Sequence, residues 1–176
     1  MKEYPISANL KLTLQDPEKD LDKLYQLIDE NRQDLARYLI WAYSETKEQL
    51  ADFLNESQQA YLEGKRLDLL IRYKNAIVGK ISFNKLNSEK KTAEIGYFLA
   101  VNARGKGFMH QAVEKICQIG FEEYGLEKIY LLAAVENIAS CNVAKRAGFK
   151  FDQKLEKHSR LIDGQLHDFN QYVLER

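Results

Sequence analysis

The chain has 176 residues with 26 basic and 26 acidic side chains, a formal net charge of +0, and 45% hydrophobic and 30% charged residues. That size fits one domain spanning residues 1–176 with a substantial core, and the composition is that of a globular chain. Balanced charge removes the field that draws proteins to nucleic acid, no stretch is long enough to cross a bilayer, and Cys117 and Cys141 give neither a metal spacing nor a disulfide framework.

The first residues, MKEYPISANLKLTLQ, hold no apolar signal core, so a reducing, cytoplasmic setting is expected, without membrane or direct nucleic-acid partners. Residues 9–14 alternate Leu10, Leu12 and Leu14 with polar partners and predict a strand. Asp16-Pro17 then opens a helix, Asp16 as its cap, with Leu21, Leu24, Tyr25 and Ile28 on one face. The acidic Asp20, Asp22, Asp29, Glu30 and Asp34 are spaced as a solvent face, and Leu35, Leu39 and Trp41 predict a second short helical piece. Thr46-x-x-Gln49 reads as a capping box for a helix that stops at Gly64. Strands are predicted over 67–73 and 77–83, joined at Lys74-Asn75, and a third over 94–101, where Ile95, Tyr97, Leu99 and Val101 alternate with Glu94, Gly96, Phe98 and Ala100. Next comes a long amphipathic helix carrying Met109, Ala112, Val113, Ile116, Cys117 and Phe121, with Gly125 as its cap. Residues 129–135, IYLLAAV, read as a strand buried on both faces, followed by a short helix over 138–146 closed by Gly148. Weak alternation over 149–151 and 171–174, with a turn at Asp163-Gly164, completes a mixed α/β domain.

Between the third strand and the long helix lies Arg104-Gly105-Lys106-Gly107. Glycines let successive N–H groups point into one concavity, and the helix that follows adds the partial positive charge of its N-terminus. The pattern predicts an anion site for a phosphate or pyrophosphate, with Arg104 and Lys106 adding charge; a tight turn with two solvated cations is the plainer alternative. A P-loop is absent, and the dinucleotide fingerprint fails because His110 stands where its third glycine belongs.

The turn resembles the acyl-CoA signature of the GNAT N-acetyltransferases, [QR]-x-x-G-x-[GA], with Arg104 and Gly107 in place and Met109 replacing the last small residue. The AEIGY segment before the GKG turn, Asn137-x-x-Ser140 and Gly148-Phe149 resemble the ribosomal-protein N-terminal acetyltransferase (RimJ/RimL-type) branch. The resemblance covers nearly the whole chain and is strongest over 81–149. It implies a GNAT fold, a central mixed, mostly antiparallel sheet of about seven strands flanked by helices. It implies acetyl-CoA as co-substrate, with no metal, and direct transfer to a primary amine. The acceptor would be a protein's N-terminal α-amine, with a small amine as alternative and a non-catalytic CoA-binding protein as a second one; monomer and homodimer are both open.

On that resemblance the backbone at Leu99 and Val101 would hold the pantetheine arm, and Gly105, Lys106, Gly107, Phe108 and Met109 would surround the pyrophosphate. Asn137 and Asn142 would reach the cofactor as well, and Trp41 and Asn84 would line the acceptor side. Glu94 is the candidate base, with a structural ion pair as its alternative, and Ser140 the candidate proton donor to the departing thiolate, with helix capping as its alternative. The tyrosine that serves as acid in many members has Ala144 at its position here. Near the last hairpin, where some relatives carry a glutamate, stand His158, Ser159 and Arg160, with Glu156 displaced. Cys141 lacks an activating base and reads as a buried small hydrophobe.

Overall fold

Alternation over the first leucines forms a strand as predicted, and a short strand precedes it. The computed structural model, which describes residues 2–176, begins with β1 (Glu3–Pro5) and β2 (Leu10–Leu14). Helices α1 (Pro17–Glu30), α2 (Arg32–Leu35) and α3 (Lys47–Leu62) follow, then β3 (Leu67–Tyr73), β4 (Ala76–Phe83), β5 (Thr92–Leu99), α4 (Phe108–Glu122), β6 (Lys128–Ala134), α5 (Ile138–Arg146), β7 (Lys150–Arg160) and β8 (Leu166–Glu175). They build one 8-stranded sheet in the order β1-β2-β3-β4-β5-β6-β8-β7. Its β5–β6 pair is parallel and the rest are antiparallel, so the mixed, mostly antiparallel sheet stands, with β1 added.

Local chemistry sets the helix ends. Asp16 accepts from the N–H groups of Glu18 and Lys19 with Pro17 at the first helical position, and Thr46 and Gln49 form the reciprocal capping box of α3. Lys74 and Asn75 take φ of +48° and +66°, the left-handed pair that suits a tight hairpin between β3 and β4. Among the described residues no helix is long and apolar enough to cross a membrane.

Three expectations change. Strand β6 is buried mainly on one face, since Tyr130 and Leu132 are half-exposed. The last two strands extend far beyond the weak alternation at their ends, because β7 is an edge strand whose exposed side chains need no hydrophobic period. Asp20 is buried rather than on a solvent face: its Oδ1 accepts from Arg72 Nη2 at 2.6 Å, while Arg72 Nε donates to Thr13 Oγ1 at 2.9 Å.

A second buried ionic cluster lies beneath α3. Asp68 is 2% exposed and meets Lys80 Nζ at 2.7 Å, the Arg66 guanidinium and the Ser57 hydroxyl, and Ser57 Oγ also accepts from Gln15 Nε2 at 2.7 Å. Burial opposes the Asp68 charge, but Lys80 and Arg66 outweigh it and hold the carboxyl below its ordinary value.

At the β7–β8 turn, His167 sits between Asp163 Oδ2 and Glu136 Oε1, each at 2.8 Å. The Asp163 hydrogen bond, chiefly, raises the His167 pKa. A raised folded value stabilises fully below the unfolded pKa of about 6.5 and loses that contribution as pH climbs through the folded value. The melting-temperature gap between wild type and His167→Gln is therefore expected to be widest in mild acid and to close with rising pH. A gap independent of pH would contradict the assignment.

Candidate active site

Strands β5 and β6 pair only over Thr92–Ile95 and Lys128–Leu131. Beyond that register the two part, β5 running on beside β4 to Leu99 and β6 beside β8 to Ala134, and the sheet opens into a wedge. A cleft of about 960 Å³ occupies it, lined by the end of β5, the glycine turn, the first turn of α4, and α5.

At one end of the cleft, Gly105 and Gly107 have φ of +74° and +75°, a region that side chains with a Cβ seldom enter. Gly107 precedes α4 and offers no side-chain cap. The N–H groups of the first helical turn have no carbonyl of a preceding turn to bond, so they stay available beside the turn. Phe108 and Met109 are buried, with the Phe108 ring 4.7 Å from that of Tyr73, so only their backbone can serve a ligand. Lys106 Nζ donates to Asn102 O at 3.0 Å.

Arg104 departs from expectation. Its guanidinium donates to Leu99 O at 3.1 Å and pairs with Asp34, so its charge is compensated internally and it braces the turn instead of presenting a free cation. Val101 does not continue the strand: β5 ends at Leu99, Val101 begins a single 3-10 turn, and its N–H donates to Asn31 Oδ1 at 2.9 Å. Ser140 is not a helix cap either. Asn137 holds that place, its Oδ1 accepting from Ser140 N at 3.2 Å, which leaves the Ser140 hydroxyl free for other work. Asn142 lines the cleft.

Glu94 lines the cleft with its carboxylate 2.8 Å from Lys85 Nζ, so the structural ion pair is present. Opposite it, the Ser140 hydroxyl lies 2.7 Å from the phenol of Tyr97, a strand residue not singled out as a candidate. Burial pushes the Tyr97 phenol well above its ordinary value, so it remains protonated. Its sequence signals were its place in the alternation of β5, which marks a face, and its place in the AEIGY segment, which marks a branch; neither marks a role. His158 and Ser159 reach the cleft from β7, whereas Glu156 does not line it.

A neighbouring cavity of about 530 Å³ holds Trp41 and Phe53 on its walls and Lys80 at its edge. The two cavities share Leu39, Asn84, Gly96, Tyr97 and Phe98. Trp41 is 42% exposed and faces the Phe98 ring at 5.8 Å, so it is a wall residue rather than core. Asn84 accepts from Ser82 Oγ at 2.7 Å, and a Cβ on Gly96 would stand 2.2 Å from its amide nitrogen. Glycine at 96 is thus what lets Asn84 lie across the junction of the cavities.

The family model described as an acetyltransferase (GNAT) domain matches residues 11–150. The Bacillus subtilis (strain 168) protein YdaF is 32% identical, covering 96% of this chain and 92% of that protein. The Escherichia coli (strain K12) ribosomal-protein-serine acetyltransferase is 28% identical, covering 89% of this chain and 87% of that one. The solved structure of RimL, a ribosomal L7/L12 α-N-protein acetyltransferase in complex with coenzyme A, superposes with a TM-score of 0.94 at 26% identity over 99% of this chain and 98% of the other. The matched segment contains the wedge, the glycine turn and α5, and the chain belongs to the GNAT acetyltransferases.

Proposed function

We propose that this N-acetyltransferase takes its acetyl group from acetyl-CoA and delivers it to the N-terminal α-amine of a protein, a ribosomal protein foremost. The observation that carries the reading is the opened sheet: the wedge between β5 and β6 has the glycine turn and the start of α4 at one end and Ser140 in its lining. A pyrophosphate would sit against the N–H groups of Gly105 to Met109, and the pantetheine arm would run along β5 past Leu99. The Val101 N–H joins only if the Asn31 amide gives way. The relatives described as ribosomal-protein acetyltransferases support the acceptor class.

The amine attacks the thioester carbonyl, a C–N bond forms and the C–S bond breaks. An α-amine has a reference pKa near ~8, so a modest base suffices to present it neutral. Glu94 receives the amine's proton, directly or through water, and Ser140 protonates the sulfur. Trp41 and Asn84 border the acceptor at the second cavity. Glu94→Gln is expected to lower kcat about 10²-fold, in the range of general-base catalysis, with KM for acetyl-CoA nearly unchanged. Equal turnover would remove Glu94 from proton transfer.

The acceptor is tested by supplying labelled acetyl-CoA to a cell lysate and separating protein from small molecules. Label on a protein N-terminus supports the reading. Label confined to small molecules makes the enzyme a small-amine acetyltransferase, and binding of acetyl-CoA without thiol release makes it a non-catalytic CoA-binding protein.

A further inference from the structure

We propose that Tyr97 is a positioning residue that aims the Ser140 proton at the departing sulfur. The inference rests on the reading of Ser140 as the thiolate's partner.

The half-buried Tyr97 phenol lines the cleft, and its proton has protein acceptors close by. The Tyr97 hydroxyl has Ser140 Oγ at 2.7 Å and Ser140 O at 3.5 Å within reach. Ser140 lies within α5, where its carbonyl serves the N–H four residues on, at Ala144. Oγ is much the nearer of the two, so we take it as the phenol's acceptor, and accepting from Tyr97 leaves the serine's own proton free. A helical serine commonly spends that proton on the carbonyl four residues back. Here the residue four back, Glu136, precedes the Asn137 cap and lies outside the helix, so α5 does not offer that acceptor. Asn137 fixes the Ser140 backbone from the other side.

The two partners come from opposite edges of the wedge, Tyr97 from β5 and Ser140 from the helix after β6. Their contact crosses the gap where the strands no longer pair. Ala144, fully buried one turn beyond Ser140, gives α5 no phenol of its own; one arrives from the facing strand. In the reaction, the Ser140 proton passes to sulfur as the C–S bond breaks. Glu94 takes the proton lost by the attacking amine and returns it through water to the serine hydroxyl, so amine plus thioester yields amide plus thiol. Tyr97 keeps its proton throughout.

The test needs no acceptor. Coenzyme A is bound to wild type, Tyr97→Phe, Ser140→Ala and the double variant, and the bound thiol is titrated by thiolate absorbance. A donor aimed at sulfur lowers the thiol pKa below that of free coenzyme A titrated alongside. Tyr97→Phe and Ser140→Ala are each expected to raise it by about one unit, a tenfold change in acidity, and the double variant no further than either single one. KM for acetyl-CoA should stay put while kcat on total ribosomal protein falls. A shift with Ser140→Ala and none with Tyr97→Phe overturns the Tyr97 role alone. No shift with Ser140→Ala overturns the serine reading and this inference together. Should Tyr97→Phe fail to bind coenzyme A, 3-fluorotyrosine at 97 keeps the shape with a stronger donor. It must then lower the thiol pKa, and an unchanged value overturns the proposal.

Discussion

Asp68→Ala is expected to cost about 3–5 kcal/mol of stability, the usual penalty for stripping the partner from a buried charge. For a chain of this size that corresponds to a fall of about 6–20 °C in melting temperature. The reason lies in the surroundings of Lys80, which is 9% exposed, has Asp68 Oδ1 at 2.7 Å and packs its ammonium 4.0 Å from the centre of the Phe53 ring. Burial already pulls the Lys80 pKa down, and Asp68 is the group that most opposes this. Without Asp68, an ammonium and the Arg66 guanidinium would face one another across a poorly hydrated site. Denaturant titration of Asp68→Ala beside Asp68→Ala/Lys80→Met checks the cause. The double variant, having no orphaned ammonium, should regain much of the loss, and a double variant as unstable as the single would show that packing, not charge, governs the site.

Gly107→Val is expected to weaken coenzyme A binding about 10²-fold while lowering stability by only about 1–3 kcal/mol, the cost of one residue held in a sparsely populated backbone region. Space is not the obstacle, since a Cβ there would meet only Gln111 Nε2 at 3.7 Å. The difficulty is the φ of +75°, which the branched side chain escapes by turning the peptide and withdrawing the first-turn N–H groups from the cleft. Gly64→Val supplies the control, because Gly64 has φ of +70° with nothing within 4 Å, at the far end of α3. Calorimetry should show an affinity loss for Gly107→Val and none for Gly64→Val, with similar destabilisation in thermal melts. Matching affinities would refute the backbone cradle.

The helices and the central strands were legible because each carries its own periodicity and punctuation. Asp16-Pro17, the Thr46–Gln49 box and the bounds of α5 all depend on bonds within a few residues. Strand β1 was not legible, since three residues, one of them proline, form no pattern. Nor was the length of β7, whose exposed face places no hydrophobic demand on its sequence. The glycine turn was legible as a turn because the requirement for positive φ lies in the backbone. The fate of Arg104 was not, because Asp34 lies on a distant segment and only the folded chain brings them together. Tyr97 escaped for the same reason: its partner, Ser140, is 43 residues away.

Chain order and spatial order coincide from β1 to β5, so each of those strands docks beside its predecessor. The remaining strands form a second group, with β8 inserted between β6 and β7. The β1–β2, β3–β4 and β4–β5 pairings have short loops to close, whereas β2 and β3 meet across the three helices α1 to α3, and the β5–β6 seam needs α4 to cross over. The cleft is therefore no feature of either group. It lies where the two groups of strands meet along a seam too short to close the gap between them, and a chain truncated before β6 would carry the glycine turn without the far wall of the cleft.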